Sequence, residues 1–181
     1  MGAQIALINP KYSRNVSAVI RAASAFNVED VMFTGERVMT AEGEIITEWR
    51  GGSKKPRLPR EERMKGYSKV NWRRTDRPFD GLPPGTVPVA VDLVPGAESL
   101  IEFEHPDNAL YVFGPEDGSL HRTNLSLCHR RVFIPMAHCA NLAAAVYMTL
   151  YDRHAKRVRA GVEPEIVLAE SRGFIDLEEV G

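Results

Sequence analysis

Residues Tyr111–Arg153 decide the fold of this chain and read YVFGPEDGSL, HRTNLSLCHR and RVFIPMAHCANLAAAVYMTLYDR. Two short apolar runs, Ala109–Phe113 and Val132–Ile134, have the length and the aromatic or β-branched content of buried strands. Each run ends in a turn, and the second turn leads into an alanine-rich helix. Alternating strand, turn and helix is typical of a parallel α/β sheet, in which ligands bind at the carboxyl ends of strands. We therefore expect a small-molecule site in Gly114–Leu120 and Ile134–Ala143.

The alanine-rich helix is predicted to start near Cys139–Asn141 and to run to about Arg157. Its apolar residues recur at intervals of three and four and form one broad face: Leu142, Ala145, Val146, Thr149 and Leu150. The run Ala143–Ala145 predicts that another element packs against this helix closely. An ordinary core helix explains the same periodicity, so the pattern alone does not indicate a function.

The composition is that of a soluble single domain. The chain has 181 residues, 44% of them hydrophobic and 26% charged, which is enough to bury a core. No apolar run approaches membrane-spanning length, and the first residues lack a signal-peptide pattern, so we expect a cytoplasmic protein. Cys128 and Cys139 have no zinc-ligand spacing and are predicted to be free thiols. We expect neither a membrane partner nor a metal.

Positive charge is concentrated in one segment. Residues Arg50–Arg77 contain eleven Lys or Arg and three acidic residues, a net charge of +8, whereas the whole chain carries −1. Aromatic residues Trp49, Tyr67 and Trp72 are interleaved with this charge and would suit stacking on nucleic-acid bases. A solvated surface loop would have the same composition, and the segment alone does not decide between the two.

The N-terminal region predicts a strand over Gln4–Ile8, a turn at Asn9-Pro10 and a helix over Asn15–Phe26. Ser13 or Asn15 is a candidate N-cap, and the buried stripe of the helix is Val16, Val19, Ile20 and Ala23. Arg21 lies beside this stripe, where an arginine is usually a snorkelling side chain at the edge of the core.

Further strands are predicted over Val28–Thr34, after an αL cap at Asn27, and over Thr86–Leu93. Glu98–Phe103 is predicted to form one helical turn. Residues 36–85 have weak helix signals and many turn formers, and we interpret them as a long basic loop that faces the substrate. The chain thus reads as a single domain over residues 1–160, followed by an acidic tail over 161–181.

Three segments together resemble the motifs of the SpoU/TrmH branch of the SPOUT RNA methyltransferases. The first is Asn9-Pro10 with Asn15 to Arg21, Ala25-Phe26 and a strand ending Phe33-Thr34-Gly35. The second is Phe113-Gly114-Pro115-Glu116, and the third is Ile134-Pro135-Met136 with Asn141-Leu142 and the alanine-rich helix. Each motif alone is weak, but all three follow predicted strands in the family's order and span about half of the chain.

The resemblance implies an α/β fold with a parallel, Rossmann-like sheet and a C-terminal deep trefoil knot, assembled as a homodimer. It also implies that S-adenosylmethionine (S-adenosyl-L-methionine) is bound by the loops after three strands. Carried over to this chain, the cofactor-binding residues are Val91, Asp92, Leu93, Phe113, Gly114, Pro115, Ile134, Met136, Cys139, Asn141 and Leu142.

The activity implied by the resemblance is methyl transfer to a ribose 2′-OH of RNA, in tRNA rather than rRNA. Its catalytic residues would be Arg21, Asn15 and Glu116. Because a guanidinium is not deprotonated in proteins, we expect Arg21 to bind a phosphate and stabilise the developing alkoxide. Asn15 would orient the ribose or Arg21, and Glu116 would anchor Arg21 or accept a hydrogen bond. The residues expected to bind RNA are Lys11, Arg14, Lys54, Lys55 and Arg57.

The chain departs from the family pattern at two places. Gly118 comes one residue earlier than the family's second glycine, and the usual Ser-Leu-Asn of the third motif reads Cys139-Ala140-Asn141 after a loop about three residues shorter. These changes predict a tighter cofactor loop. Two alternatives are a base-methylating SPOUT enzyme, against which Asn15 and Arg21 argue, and a catalytically silent RNA-binding knot protein, which the shortened third motif favours.

Overall fold

The computed structural model describes residues 2–28, 30–39 and 70–166. The strands in these ranges are β1 (Ala3–Leu7), β2 (Asp30–Phe33), β3 (Asn71–Arg74), β4 (Val87–Val91), β5 (Glu98–Ser99), β6 (Ala109–Phe113) and β7 (Arg130–Phe133). The helices are α1 (Ser13–Ala25), α2 (Arg122–Leu127) and α3 (Leu142–Arg159), with a 3₁₀ turn at Arg37–Met39.

The described strands form one sheet in the order β3-β2-β1-β6-β4-β7-β5. Every pairing in the sheet is parallel, as the alternating strand and helix pattern predicts. The segments that follow β1, β2, β4, β6 and β7 therefore emerge at the same edge of the sheet. We call this edge the carboxyl edge and the opposite one the amino edge.

Helices cover both faces of the sheet. Alternate strand residues such as Ile5, Val89 and Tyr111 are buried with α1 and α3 on one face, and the two helices also pack on each other. The intervening residues, such as Ala6 and Leu110, are buried in a smaller cluster that Leu125 of α2 joins from the other face. Burial on both faces explains why the central strands are almost entirely apolar.

The buried stripe predicted for α1 is confirmed, since Val16, Val19, Ile20 and Ala23 are at most 1% exposed. The predicted N-cap is wrong: the cap residue is Tyr12, with no side-chain capping bond, and Ser13 and Asn15 lie inside the helix. Asn27 has φ of 54° directly after the helix, as expected of an αL cap.

Two predicted elements are corrected. The segment read as a loop over residues 36–85 contains β3, whose residue Trp72 is 3% exposed and belongs to the core, so its ring does not stack on bases. The segment Glu98–Phe103 starts with the short edge strand β5 and continues as a turn, where one helical turn was expected. Trp49 and Tyr67 lie outside the described residues.

The elements that decided the fold are close to their predicted bounds. β6 has the bounds predicted for it, β7 begins at Arg130 and ends at Phe133, and α3 begins directly after its N-cap Asn141. Ala143 is buried, whereas Ala144 is exposed in the single chain, so close packing covers only part of the alanine run.

Candidate active site

A hydrogen bond and a close packing contact join the segments that follow β1 and β2. The backbone N–H of Asn9 donates to Oγ1 of Thr34 over 3.0 Å. Gly35 has φ of 76°, and a Cβ at this position would lie 2.3 Å from Oδ1 of Asn9. Only glycine fits both the backbone conformation and the space. This contact fixes the start of the segment that leads into α1.

Glu116 binds the backbone that leads into α1. Its carboxylate accepts hydrogen bonds from the backbone N–H of Lys11 over 2.6 Å and of Tyr12 over 3.3 Å. Oε1 of Glu116 also accepts from Nδ2 of Asn15 over 2.6 Å. A carboxylate is favourable at a helix N-terminus because unpaired N–H groups and the helix dipole are positive there. The second predicted motif thereby anchors the first.

Asn141 connects the third motif to the same group of residues. Its Nδ2 donates to Oδ1 of Asn15 over 3.1 Å, and its Oδ1 caps α3 by accepting from the N–H of Ala143 over 2.9 Å. Asn15 therefore donates to Glu116 and accepts from Asn141 through one amide. We call Asn15, Glu116 and Asn141 the carboxyl-edge network.

Two adjoining cavities open beside this network. The larger, of about 470 Å³, lies between the segments after β4 and β7, and the smaller, of about 170 Å³, lies against the segment after β6. The larger volume falls in the range of small-molecule sites. The two cavities share lining residues, which are Val91, Asp92, Cys139, Ala140 and Ala145.

Nearly all of the residues expected to bind cofactor line these cavities. Lining the larger one are Val91, Asp92, Leu93, Ile134, Met136 and Cys139. The smaller one is also lined by Phe113, Gly114, Pro115 and Leu142. Asn141 lines neither and instead belongs to the carboxyl-edge network. The sequence motifs therefore converge at one place in the fold.

Asp92 lines both cavities and connects two of the segments that form them. Its Oδ1 accepts from the N–H of Leu93 over 2.8 Å, and its Oδ2 accepts from the N–H of Leu120 over 2.6 Å. Gly114 packs closely on the same backbone, since a Cβ there would lie 3.1 Å from the backbone nitrogen of Leu120. The carboxylate thus joins the segment after β4 to the segment after β6.

The larger cavity has an apolar rim and a polar backbone wall. Leu93 and Met136 are 75% and 49% exposed, which is unusual for large apolar side chains. Among the described residues, the backbone groups of segment 135–140 have no backbone hydrogen-bond partner. The arrangement suits a ligand with a flat apolar part and polar groups that bind main-chain atoms.

Arg14 and Arg21 lie on the exposed side of α1. They are seven residues apart and so share one side of the helix. Arg21 is six residues beyond Asn15, which places its Cα about 9 Å further along the helix axis and about 120° around it. Lys11 lies at the carboxyl edge, while Lys54, Lys55 and Arg57 lie outside the described residues.

Sequence reasoning missed one charged group at this edge. Arg37 makes two hydrogen bonds with the carboxylate of Asp117, Nη1 to Oδ1 over 2.9 Å and Nη2 to Oδ2 over 2.5 Å. Nζ of Lys11 lies 3.4 Å from Oδ2 of the same aspartate. No local pattern could have paired Arg37 with a residue 80 positions away.

A second polar group lies at the other end of α3, near the amino edge. Nε2 of His105 lies 2.8 Å from Oδ2 of Asp152, and Nδ1 lies 2.6 Å from the hydroxyl of Tyr111. A neutral ring protonated at Nε2 satisfies both contacts, donating to the carboxylate and accepting from the phenol. Burial lowers the pKa of His105 to about 4, against the opposing effect of Asp152, and burial raises the pKa of Tyr111 to about 12.

Two cations of α3 complete this group. Arg153 donates to the backbone oxygens of Pro106 over 2.6 Å and Asp107 over 2.8 Å. Lys156 donates to backbone oxygens of Leu100 and Phe103, and its Nζ lies 2.7 Å from Asp152. We call His105, Tyr111, Asp152, Arg153 and Lys156 the amino-edge network.

A cavity of about 420 Å³ lies beside the amino-edge network and is lined in part by Arg153, His154 and Glu163. Glu163 is paired within the protein, because it accepts from Nε of Arg157 over 2.9 Å and lies 2.7 Å from Nδ1 of His154. These contacts lower the pKa of Glu163 against the opposing effect of burial.

Among the described residues, no group of His, Cys, Asp and Glu side chains is arranged to hold a metal ion. Within the same ranges, no helix combines the length and the apolar character that a membrane crossing requires.

Comparisons with known proteins place the chain among structures of one kind. No family model matches the sequence, and no curated protein matches it. The TrmH/SpoU tRNA modifying enzyme of A. aeolicus has a TM-score of 0.68 and 20% identity, with 92% of this chain and 81% of that chain covered.

Two further solved structures agree. A structure concerned with the 2-OH methylation of C/U34 on tRNA has a TM-score of 0.66 and 22% identity, with 88% of this chain and 97% of that chain covered. The SpoU methyltransferase AviRb from Streptomyces viridochromogenes, in complex with AdoMet, has a TM-score of 0.59 and 20% identity, with 86% and 60% covered. This chain has the fold of the SpoU/TrmH methyltransferases.

Proposed function

We propose that this protein is an S-adenosylmethionine-dependent RNA methyltransferase that methylates a ribose 2′-OH. The observation that carries the proposal is the carboxyl-edge network. Asn15, Glu116 and Asn141 come from three separate sequence motifs, and direct hydrogen bonds join them beside a ligand-sized cavity. A site at the carboxyl ends of parallel strands is where α/β sheets bind their ligands.

The cavity residues fit S-adenosylmethionine. The exposed side chains of Leu93 and Met136 would cover the faces of an adenine ring, and the unpaired backbone groups of 135–140 would bind its polar edge. A SpoU methyltransferase of the same fold has been solved with this cofactor. When bound, the cofactor supplies an electrophilic methyl group on a sulfonium sulfur. The apolar rim would exclude water from that group.

Arg21 is proposed to stabilise the negative charge that develops on the 2′-oxygen as its proton passes to solvent water. The new O–C bond would form as the C–S bond breaks, and a neutral thioether would leave. Because Arg21 is exposed and lies about 9 Å further along α1 than Asn15, we propose that it acts in the site of a second copy of the chain. A homodimer that packs through α1 and the exposed part of α3 would bring it there. We also propose that the C-terminal part of the chain forms the deep trefoil knot that the resemblance implies.

RNA is proposed as the substrate, with Lys11 and Arg14 as phosphate contacts. The basic residues Lys54, Lys55 and Arg57 would add further contacts from the segment with net charge +8. The similarity to structures of a tRNA modifying enzyme and of C/U34 methylation favours tRNA over rRNA as the target.

Transfer of labelled methyl from S-adenosylmethionine to unmodified tRNA and rRNA tests the proposal, followed by alkaline digestion of the product. Methylation of the 2′-oxygen blocks alkaline cleavage, so we expect the label in alkali-resistant dinucleotides. Label in mononucleotides would establish base methylation instead. Cofactor binding without transfer to either RNA would contradict the proposed substrate, and an absence of cofactor binding would favour a silent RNA-binding protein.

The variant Arg21→Ala tests the catalytic assignment. We expect turnover to fall at least about a hundredfold, the scale for removing one key electrostatic group, with cofactor affinity unchanged. Arg159→Ala, at the exposed end of α3, is the matched control and should keep full turnover. Near-full activity of the Arg21 variant would show that another group stabilises the alkoxide.

A further inference from the structure

The charged group formed by Lys11, Arg37 and Asp117 has a geometry suited to anion binding. The guanidinium of Arg37 faces the carboxylate with two parallel hydrogen bonds of 2.9 and 2.5 Å. Lys11 approaches the same carboxylate from another side, 3.4 Å from Oδ2. A planar guanidinium binds a carboxylate and a phosphate in the same two-pronged way, and a lysine adds a point charge. Asp117 therefore occupies the position that a phosphate group would take.

The group remains accessible to solvent. Side-chain exposures are 40% for Lys11, 32% for Arg37 and 44% for Asp117. The positive charge of Arg37 is balanced by the carboxylate of Asp117 and, in part, by that of the nearby Glu116, and both raise the pKa of Arg37. Hydrogen bonding to Arg37, with a further bond from Lys11, holds the pKa of Asp117 well below its usual range, so the carboxylate is ionised at neutral pH.

Stability does not explain this arrangement. Exposed ion pairs contribute between about 0 and 1 kcal/mol because water and salt screen them and because long side chains lose entropy. The fold also does not need this group to position the loop, since Glu116 and Asp92 already anchor the segment after β6 through buried or half-buried hydrogen bonds. An exposed charged group that contributes little to stability is free to serve binding.

The position of the group relates it to the candidate active site. Asp117 follows Glu116 directly, and the backbone N–H of Lys11 donates to Glu116 over 2.6 Å. The ammonium of Lys11 lies over the ring of Tyr12, 5.4 Å from its centroid, directly before the start of α1. An RNA phosphate bound by Lys11 and Arg37 would therefore lie beside the carboxyl-edge network.

We propose that Lys11 and Arg37 form the subsite for a backbone phosphate of the substrate RNA, and that this phosphate replaces the carboxylate of Asp117. The inference rests on the proposed function, because it takes RNA as the substrate. Asp117 keeps the two cations in place and neutralises part of their charge until RNA binds. It thereby weakens binding of any RNA that does not place a phosphate at this point.

RNA binding at several salt concentrations tests the subsite, with total unmodified tRNA as the probe. Replacing one phosphate-binding cation reduces the slope of log K against log salt by about one. We expect this reduction for Arg37→Gln and for Lys11→Gln. Asp117→Asn should bind RNA severalfold more tightly with an unchanged or steeper slope, because it keeps both cations and removes their competitor.

Arg159→Gln is the matched control, since Arg159 is exposed at the far end of α3 and lies outside the basic segment 50–77. Its salt slope should match that of the unaltered protein. Equal slopes for the Arg37 variant and the control, or weaker RNA binding by Asp117→Asn, would overturn the subsite. If the unaltered protein transfers methyl to RNA while these variants fail to differ, only the subsite is wrong. If the unaltered protein neither binds nor methylates RNA, the proposed function fails first.

Discussion

The two ends of α3 carry polar networks of opposite character. At the amino edge, Arg153 is 7% exposed, and the His105 side chain is 2% exposed, with partners on both ring nitrogens. At the carboxyl edge, the network is half-buried and adjoins a cavity with an apolar rim. Groups whose hydrogen-bonding capacity is satisfied within the protein stabilise the fold. Groups that leave open space and unpaired backbone beside them are placed to bind a ligand.

The shifted pKa of His105 shows why this distinction matters. A strongly perturbed pKa often marks a catalytic residue, yet both ring nitrogens of His105 are paired with protein groups, and the residue lines neither cavity at the carboxyl edge. The perturbation therefore reports burial in a structural network. We expect substitutions at the amino edge to alter stability and those at the carboxyl edge to alter activity.

The largest effect is expected from Arg153→Met. The variant removes a guanidinium that donates to the carbonyls of Pro106 and Asp107, and leaves those half-buried acceptors without their donor. We expect the free energy of unfolding in urea to fall by about 3 kcal/mol. Affinity for S-adenosylmethionine of the folded fraction should be unchanged. If the variant lost affinity for S-adenosylmethionine but kept its stability, the amino edge would be the binding region and our assignment of it to stability would be wrong.

The next effect is a dependence of stability on pH. The folded state holds the pKa of His105 near 4, below its ordinary value of 6.5, so between these values the unfolded chain binds the additional proton. Stability contributed by neutral His105 is therefore complete above pH 6.5 and is lost as the pH falls towards 4. The loss amounts to about 3 kcal/mol at 1.36 kcal/mol per pKa unit. Urea unfolding of the protein and of His105→Gln between pH 7 and 4 measures it, and equal slopes for both would contradict the role of His105.

A smaller change in free energy, but a specific one, is expected for Glu116→Gln. Both carboxylate oxygens accept hydrogen bonds, so an amide must direct its NH₂ group at a donor, either Asn15 or the N–H of Lys11. The resulting displacement of Asn15 should reduce turnover about a hundredfold, while stability falls by less than about 1 kcal/mol. Glu102→Gln, on the exposed surface, is the control for assays of methyl transfer. Equal turnover of the Glu116 and Glu102 variants would show that the carboxyl-edge network does not contribute to catalysis.

The smallest effect is expected at the rim of the larger cavity. Leu93→Ala should weaken binding of S-adenosylmethionine about fivefold, or about 1 kcal/mol, because an apolar cover is lost. The melting temperature should not change, since Leu93 is already 75% exposed. Ile101→Ala is the matched control, as Ile101 is 66% exposed and lines neither cavity at this edge. Titration calorimetry measures the affinity of both variants for S-adenosylmethionine. Weaker binding by Ile101→Ala alone would show that the cofactor does not bind at the larger cavity.

Elements whose pattern is local were predictable from the sequence. The buried runs of β6 and α1 have periodicities that burial on one or both faces imposes, and Asn27 has the αL backbone expected after a helix. β3 was not predictable, because the charges around Trp72 conceal a short edge strand whose partner β2 is 41 residues away in register. Burial of Trp72 in the folded protein favours a strand there, although the charged composition of the segment suggests a loop.

The candidate site was predictable in its residues but not in its connections. The motifs indicated Asn15, Glu116 and Asn141, whereas no local signal could show that Glu116 binds the side chain of Asn15, 101 residues before it. The pairing of Arg37 with Asp117 was inaccessible for the same reason. Contacts between distant segments depend on sheet order, which a strand pattern does not specify.

The most direct test of the account is to locate bound S-adenosylmethionine by ultraviolet cross-linking of the labelled cofactor and peptide mapping. We predict labelled peptides that contain residues 91–93 or 133–140, which line the larger cavity at the carboxyl edge. Label confined to residues 26–28 or 153–166, which line the cavity beside the amino-edge network, would contradict the account.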